Sequence, residues 1–170
     1  ELTKEQKEQK KLRNILLDAI NICENNLKVN NIECKNALKY LENRNLSNKI
    51  INDFHIGFNV ASDNITDKLL TKYSLQDLIK VGIVKEQEND YKDIFSQRII
   101  IPIFDENGYP VGFGARVLNN KTKPKYINTN STPLFNKSNL LFNYHQAKYV
   151  ARNNEMIIVE GYMDVISSKA

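Results

Sequence analysis

The sequence has no tryptophan and only two cysteines, two histidines, four prolines and six glycines. Cys23 and Cys34 form no C-x-x-C pair, and His55 and His145 give no zinc-ligand spacing, so the thiols are expected to be ordinary ones in a reducing compartment. Apolar runs are short. The longest, such as RIIIPIF, falls far below the length needed to span a bilayer, and no charged-then-apolar leader opens the sequence. A soluble, intracellular protein without membrane contact is the expectation. There is no internal repeat and no low-complexity tract. GFGARVL contains G-x-G but lacks the third glycine and the following helix of a dinucleotide fingerprint, which excludes that reading.

What is present is a globular mix, 41% apolar and 26% charged over 170 residues, enough for one ordinary domain or two small lobes sharing a core. The net charge of +4 permits a polyanionic partner without demanding one. The heavy use of Asn, Lys and Ile fits an AT-rich genome and carries no chemistry. The chain opens on Glu1 rather than Met, so it reads as a piece of something longer.

Residues 1 to about 45 read as helix. Leu12, Ile15, Leu16, Ala19, Ile20 and Cys23 form a helical stripe, Thr3 with Gln6 resembles a capping box, and KVNN reads as a stop. A second helix, IECKNALKYLENR, places Cys34, Ala37, Leu38 and Leu41 on one face, with Asn45 as its stop because asparagine tolerates a left-handed conformation. Short elements follow: NKIINDF helical, HIGFNV extended, then SDNITDKLLTKY and SLQDLIKVG helical, the last opened by Ser74. IVKEQENDYK reads as a polar connection or hairpin. RIIIPIF and PVGFGARVL are the clearest strands, joined through the hairpin dipeptide Asn107-Gly108, and Pro102 marks an edge or a bulge. NNKTKPKYINTNSTPLF reads as loop, HQAKYVARNN as helix, MIIVE as a buried strand and MDVISSKA as the start of a further helix.

Two groups of residues carry chemistry. Glu160 stands at the end of MIIVE, where a strand would fix a carboxylate while the next turn leaves its oxygens accessible. Gly161 is expected to permit a sharp turn. Asp164 falls near the first turn of the next helix, where a carboxylate also suits the helix dipole, so a capping role stands beside a catalytic one. The second group is basic: Arg98, Arg116, Lys123, Lys125 and Lys137, interspersed with Phe113, Tyr126, Asn128 and Phe135. Cations among aromatic and amide groups suit a phosphate backbone with stacked bases, although a lysine-rich solvated face would look similar. Arg116 lies in an otherwise apolar strand, so it must pair with a carboxylate or point at an anion. One carboxylate alone holds a catalytic divalent ion poorly, and no D-x-D is present.

RIIIPIFDENGYPVGFGARVL, PKYINTNSTPLFNKSNLLFNYHQA and IIVEGYMDVISS, in this order, resemble the RNA polymerase domain of bacterial DnaG-type primases. ALKYLENRNL, FHIGFNVAS and LIKVGIV resemble its upstream part, so the likeness covers roughly residues 35 to 170. It departs at Ala115, where GFGGR is usual, at Asn45 in place of the glycine after Arg44, and in INTNSTPLF in place of LNSPET. The resemblance implies an α/β (α+β) fold with a small, mainly antiparallel sheet: the basic-groove lobe of the catalytic core over 31–150, and over 151–170 the first strand and helix of an incomplete TOPRIM fold, while residues 1–30 match nothing specific and are expected to be a helical linker or N-terminal helix.

The function it implies is metal-dependent synthesis of short RNA primers on single-stranded DNA from ribonucleoside triphosphates. Glu160 takes the catalytic and metal-binding position with Mg²⁺ or Mn²⁺, and Asp164 a supporting one. Arg98, Arg116, Lys125, Asn128, Lys137 and Arg44 match the nucleic-acid and nucleotide contacts. The family's remaining metal-binding aspartates fall beyond residue 170, so this chain alone is expected to be inactive. A zinc module is expected before it, and a replicative helicase is expected to engage regions outside it. The compartment implied is the bacterial cytoplasm, at the nucleoid, or an organelle of bacterial origin. Two other readings compete: a non-catalytic module that binds single-stranded DNA, and part of a phage- or organelle-type primase-helicase.

Overall fold

The computed structural model describes residues 2–88, 90–119 and 121–169. Its first element, α1 (Lys4–Asn26), starts where Thr3 Oγ1 accepts from Gln6 N–H while Gln6 Oε1 accepts from Thr3 N–H, the reciprocal box expected there. All six stripe residues from Leu12 to Cys23 are buried. The next elements are α2 (Ile32–Glu42), α3 (Asn48–Asp53), β1 (Gly57–Asn59), α4 (Ile65–Leu70) and α5 (Leu75–Lys80). Asn31, Ser47, Asn64 and Ser74 each accept a main-chain N–H at the start of the helix that follows. Asn45, at φ +59°, ends the turn after α2.

β2 (Val84–Gln87) and β3 (Asp90–Asp93) pair as a small hairpin. The main sheet is antiparallel in the order β1-β4-β5-β6, with β4 at Arg98–Phe104, β5 at Pro110–Val117 and β6 at Tyr126–Asn128. In the β4–β5 turn only Gly108 takes positive φ; Asn107 does not, and Asp105 Oδ1 accepts from the N–H groups of Asn107 and Tyr109 instead. Pro102 lies past the end of β1, which pairs only with Arg98–Ile100, so no ladder bond is lost on that side. The register slips one position further on, between Ile103 and Phe104.

Residues paired across antiparallel strands share a face. Phe58, Ile99 and Ile101 pack against α2, α3 and α7 (Tyr162–Ser168), whereas Ile100, Phe113 and Ala115 pack against α1, α4 and α5. The sheet is therefore buried on both faces, and α1 belongs to the same core as the strands. Gly57 is required by this packing, because a Cβ there would overlap the main chain of α1 at Cys23. Both cysteines are buried and unbridged.

Two segments differ from the sequence expectation. Tyr126–Asn128, expected as loop, adds β6 to the sheet edge through three cross-strand pairs with β5. MIIVE, expected as a buried strand, forms no ladder: Ile157 is 85% and Ile158 74% exposed. Its apolar composition is that of a strand, but a strand needs a neighbour to hydrogen-bond, and no described segment pairs with it. Before it, α6 (Tyr144–Ala151) starts from Asn143 in a left-handed conformation, and α7 follows Gly161.

Candidate functional site

On the sheet face that carries α7, a cleft of about 870 Å³ is lined by β6, the 3₁₀ turn Lys137–Asn139, the extended segment 155–160 and the start of α7. Arg44, Asn128, Lys137, Glu160 and Asp164 all line it, as do Tyr126, Phe135 and Tyr162. Residues far apart in sequence, two acids and three polar or basic groups, thus share one concave surface. Glu160 is exposed at its wall.

Asp164 Oδ2 accepts from Gly161 N–H at 3.2 Å, so its carboxylate caps α7 while it lines the cleft. Gly161 has φ −114°, extended backbone open to any residue, so the sharp turn does not require glycine. What glycine supplies is room, since a Cβ there would come within 2.8 Å of Asp164 Oδ2. Gly114, on β5, admits the Tyr162 ring in the same way, at a Cβ distance of 2.6 Å from Cε2. Burial pushes the Tyr162 phenol above its ordinary pKa.

Arg116 does not line the cleft but contacts Tyr126, which does. Only 3% exposed, it is paired with no carboxylate among the described residues. Its Cζ lies 4.5 Å from the centre of the Tyr40 ring and 5.4 Å from that of Tyr126, while Nε donates to the Tyr126 hydroxyl at 2.9 Å and Nη1 to Val117 O at 3.1 Å. Arg44 approaches the same Tyr40 ring at 5.4 Å. Aromatic faces hold a guanidinium without neutralising it, so Arg116 keeps its positive charge beside Tyr126, a residue of the cleft wall. Burial raises the Tyr40 pKa, against the opposing pull of Arg116 and Arg44, and its hydroxyl has no hydrogen-bond partner among the described residues.

Arg98 and Lys125 do not line the cleft. Lys125 is exposed at the entry to β6. Arg98 pairs with Val117 and Arg116 with Ile99, which sets the two arginines on opposite faces of the sheet. Arg98 is 7% exposed, and burial lowers its pKa. Tyr40 is the site residue that sequence reasoning missed. It lies on α2 outside the apolar stripe, and nothing local marks it as the platform for an arginine in a distant strand.

Among the described residues no three His, Cys, Asp or Glu side chains gather closely enough to hold a metal ion. The cleft acids Glu155, Glu160 and Asp164, the last engaged as a cap, do not gather into the oxygen set that Mg²⁺ or Mn²⁺ requires. No described helix is long and apolar enough to cross a membrane.

Known proteins share this fold. The family model for the DNA primase catalytic core, N-terminal domain, matches residues 23–148. The DNA primase of Campylobacter jejuni is 38% identical over 169 residues, covering 97% of this chain and 27% of that protein. A solved DnaG primase catalytic domain bound to ssDNA matches with a TM-score of 0.83 at 32% identity, over 94% of this chain and 50% of that one. The zinc-binding and RNA polymerase domains of the Aquifex aeolicus primase match with a TM-score of 0.82 at 26% identity, over 94% of this chain and 39% of that one. The chain therefore spans about a quarter of its curated relative and half or less of these solved structures. On the extent of the family match and the identity of its relatives, the chain belongs to the bacterial DnaG-type primases, as the N-terminal part of their catalytic core.

Proposed function

We propose that this chain supplies the nucleic-acid grip and the first acidic groups of a primase, and that the full-length protein joins ribonucleoside triphosphates into short RNA primers on single-stranded DNA. The observation that carries this reading is the convergence of Glu160 and Asp164 with Arg44, Asn128 and Lys137 on one cleft, backed by an arginine with no acidic partner among the described residues. The ssDNA bound to a related catalytic domain supports the choice of polyanion.

In this reading Arg44, Arg116 and Lys137 attract phosphates, Asn128 offers amide donors and acceptors to a base or ribose, and Tyr126, Phe135 and Tyr162 provide apolar faces. Glu160 accepts the proton of the attacking 3′-hydroxyl or contributes a metal ligand. The new bond forms between that oxygen and the α-phosphorus, and pyrophosphate leaves. Asp164 holds the start of α7 and with it the position of Glu160. Mg²⁺ or Mn²⁺ would neutralise charge on the leaving pyrophosphate, but the described residues do not complete its ligand set. Residues 31–150 act as the basic-groove lobe and 151–170 as the opening of a TOPRIM unit. Zinc belongs to a separate module, and a helicase engages other regions of the full-length protein.

The test is binding of single-stranded oligonucleotides at several salt concentrations. Arg116→Ala and Lys137→Ala should each weaken binding and lower the slope of log K against log salt by roughly one unit. Unchanged affinity and slope in both would sink this use of the cleft.

A further inference from the structure

We infer that Arg98 is a positioning residue, which clamps the entry to β6 from the opposite face of the sheet and thereby holds Tyr126 on Arg116. The inference rests on the reading of the cleft given above. β6 needs such a clamp: it is an edge strand of three residues with only β5 as its neighbour, a length with little intrinsic persistence.

From its place opposite Val117, the Arg98 side chain reaches across β5, and Nη1 donates to Pro124 O at 3.0 Å and Lys125 O at 3.4 Å. Lys125 O also accepts from Val117 N–H at 3.2 Å. Two donors therefore converge on the carbonyl immediately before Tyr126. Tyr126 itself pairs with Arg116 across the ladder, and its hydroxyl accepts from Arg116 Nε. A path of direct contacts thus runs from Arg98 through the Lys125 carbonyl to Tyr126 and Arg116, linking one face of the sheet to the other. Both hydrogen bonds of Arg98 go to main-chain carbonyls on the sheet face turned away from the cleft, which leaves it poorly placed to meet a phosphate there. Its charge stabilises both peptide dipoles, through two hydrogen bonds donated by the one nitrogen Nη1.

Amide exchange is followed on the protein without nucleic acid, and single-stranded DNA binding is titrated separately at several salt concentrations. In Arg98→Met, which keeps the apolar stem and removes the donors, amide exchange at Tyr126, Ile127 and Asn128 should rise by roughly tenfold or more while Ile101 and Phe113 stay protected. The Arg116 Nε–H signal should lose protection in parallel. Arg98→Lys, which retains one donor group, should fall between wild type and Arg98→Met. If Arg98→Met proves unfolded, Arg98→Lys carries the comparison alone, and enhanced exchange confined to β6 remains the expected result. Unchanged exchange at β6 and at Arg116 Nε–H would overturn the inference. So would the signature of a phosphate contact, a salt slope for single-stranded DNA lowered by about one unit with β6 undisturbed. Loosened β6 in a chain that fails to bind DNA at all would leave the clamp standing and remove the functional reading instead.

Discussion

Arg116 lies over the ring of Tyr40, with its guanidinium carbon 4.5 Å from the ring centre, and donates from Nε to Tyr126 on its other side. A buried arginine is ordinarily balanced by a carboxylate, because an unpaired charge in a low-dielectric setting is costly. Here two tyrosines take that place. They orient the cation without cancelling it.

Removing the phenol oxygen tests this balance. Tyr126→Phe keeps the aromatic face but leaves Arg116 Nε without its acceptor. Affinity for single-stranded DNA should fall by several-fold, corresponding to about 1 kcal/mol, the net worth of a typical hydrogen bond. Tyr40→Leu removes a ring shared by two arginines and should cost more. Fluorescence anisotropy titrations with a labelled oligonucleotide read both changes, and equal affinities in all three proteins would deny the tyrosines this role.

Two glycine substitutions should differ in severity. Gly114→Ala pushes a methyl group into the edge of the Tyr162 ring, a side chain that can shift, and should destabilise by about 1–3 kcal/mol. Gly57→Ala pushes against the main chain of α1 at Cys23, which cannot give way without moving the helix, and should cost about 3 kcal/mol or more. Urea unfolding of the two variants ranks them.

Much of this framework was legible in the sequence, and the reason is locality. Thr3 with Gln6, Ser74 and Asn45 act within a few residues of themselves, so their effects follow from residue type and spacing. The α1 stripe was readable because one face of a helix is fixed by its period. Strand pairing is not local in this sense: Met156, Ile157 and Ile158 carry strand composition, but whether they pair depends on a neighbour that no local pattern specifies. The same holds in reverse for β6, where Tyr126, Ile127 and Asn128 show no alternation long enough to read, yet pair because β5 presents an open edge. In the site, the basic and acidic residues were visible as types. That Arg98 and Arg116 face opposite ways followed only from the register of β4 against β5, and Tyr40 only from the packing of α2 onto the sheet.

Asp93 makes stability depend on pH. Its carboxylate accepts from Asn59 Nδ2, Thr66 Oγ1 at 2.9 Å and Phe95 N–H at 2.7 Å, but burial outweighs these bonds and holds its pKa above the usual aspartate value. Between the ordinary value, about 3.9, and the raised native one, the folded state binds more protons than the unfolded state, so this group's contribution to stability declines as pH rises through that window. Asp93→Asn should be less stable at pH 7 by about 1–3 kcal/mol, since an amide nitrogen would face converging donors. Its deficit against wild type should be larger near pH 3.5, about where an ordinary aspartate titrates, than near neutrality. A deficit that shrinks on acidification would contradict the assigned shift.

Asp164 and Glu160 should separate by stability. Asp164→Ala removes the bond to Gly161 N–H and should cost about 0.5–2 kcal/mol, as lost helix caps do. Glu160→Gln, at an exposed position, should stay within about 0.5 kcal/mol of wild type. Thermal unfolding of both variants provides the comparison.

The most direct test of the central claim is a paired assay of Glu160→Gln in the full-length protein, measuring primer synthesis and single-stranded DNA binding on the same preparation. Synthesis should be abolished while DNA affinity stays close to that of the unaltered protein. Primer synthesis at the normal rate by Glu160→Gln would contradict the role given to this carboxylate.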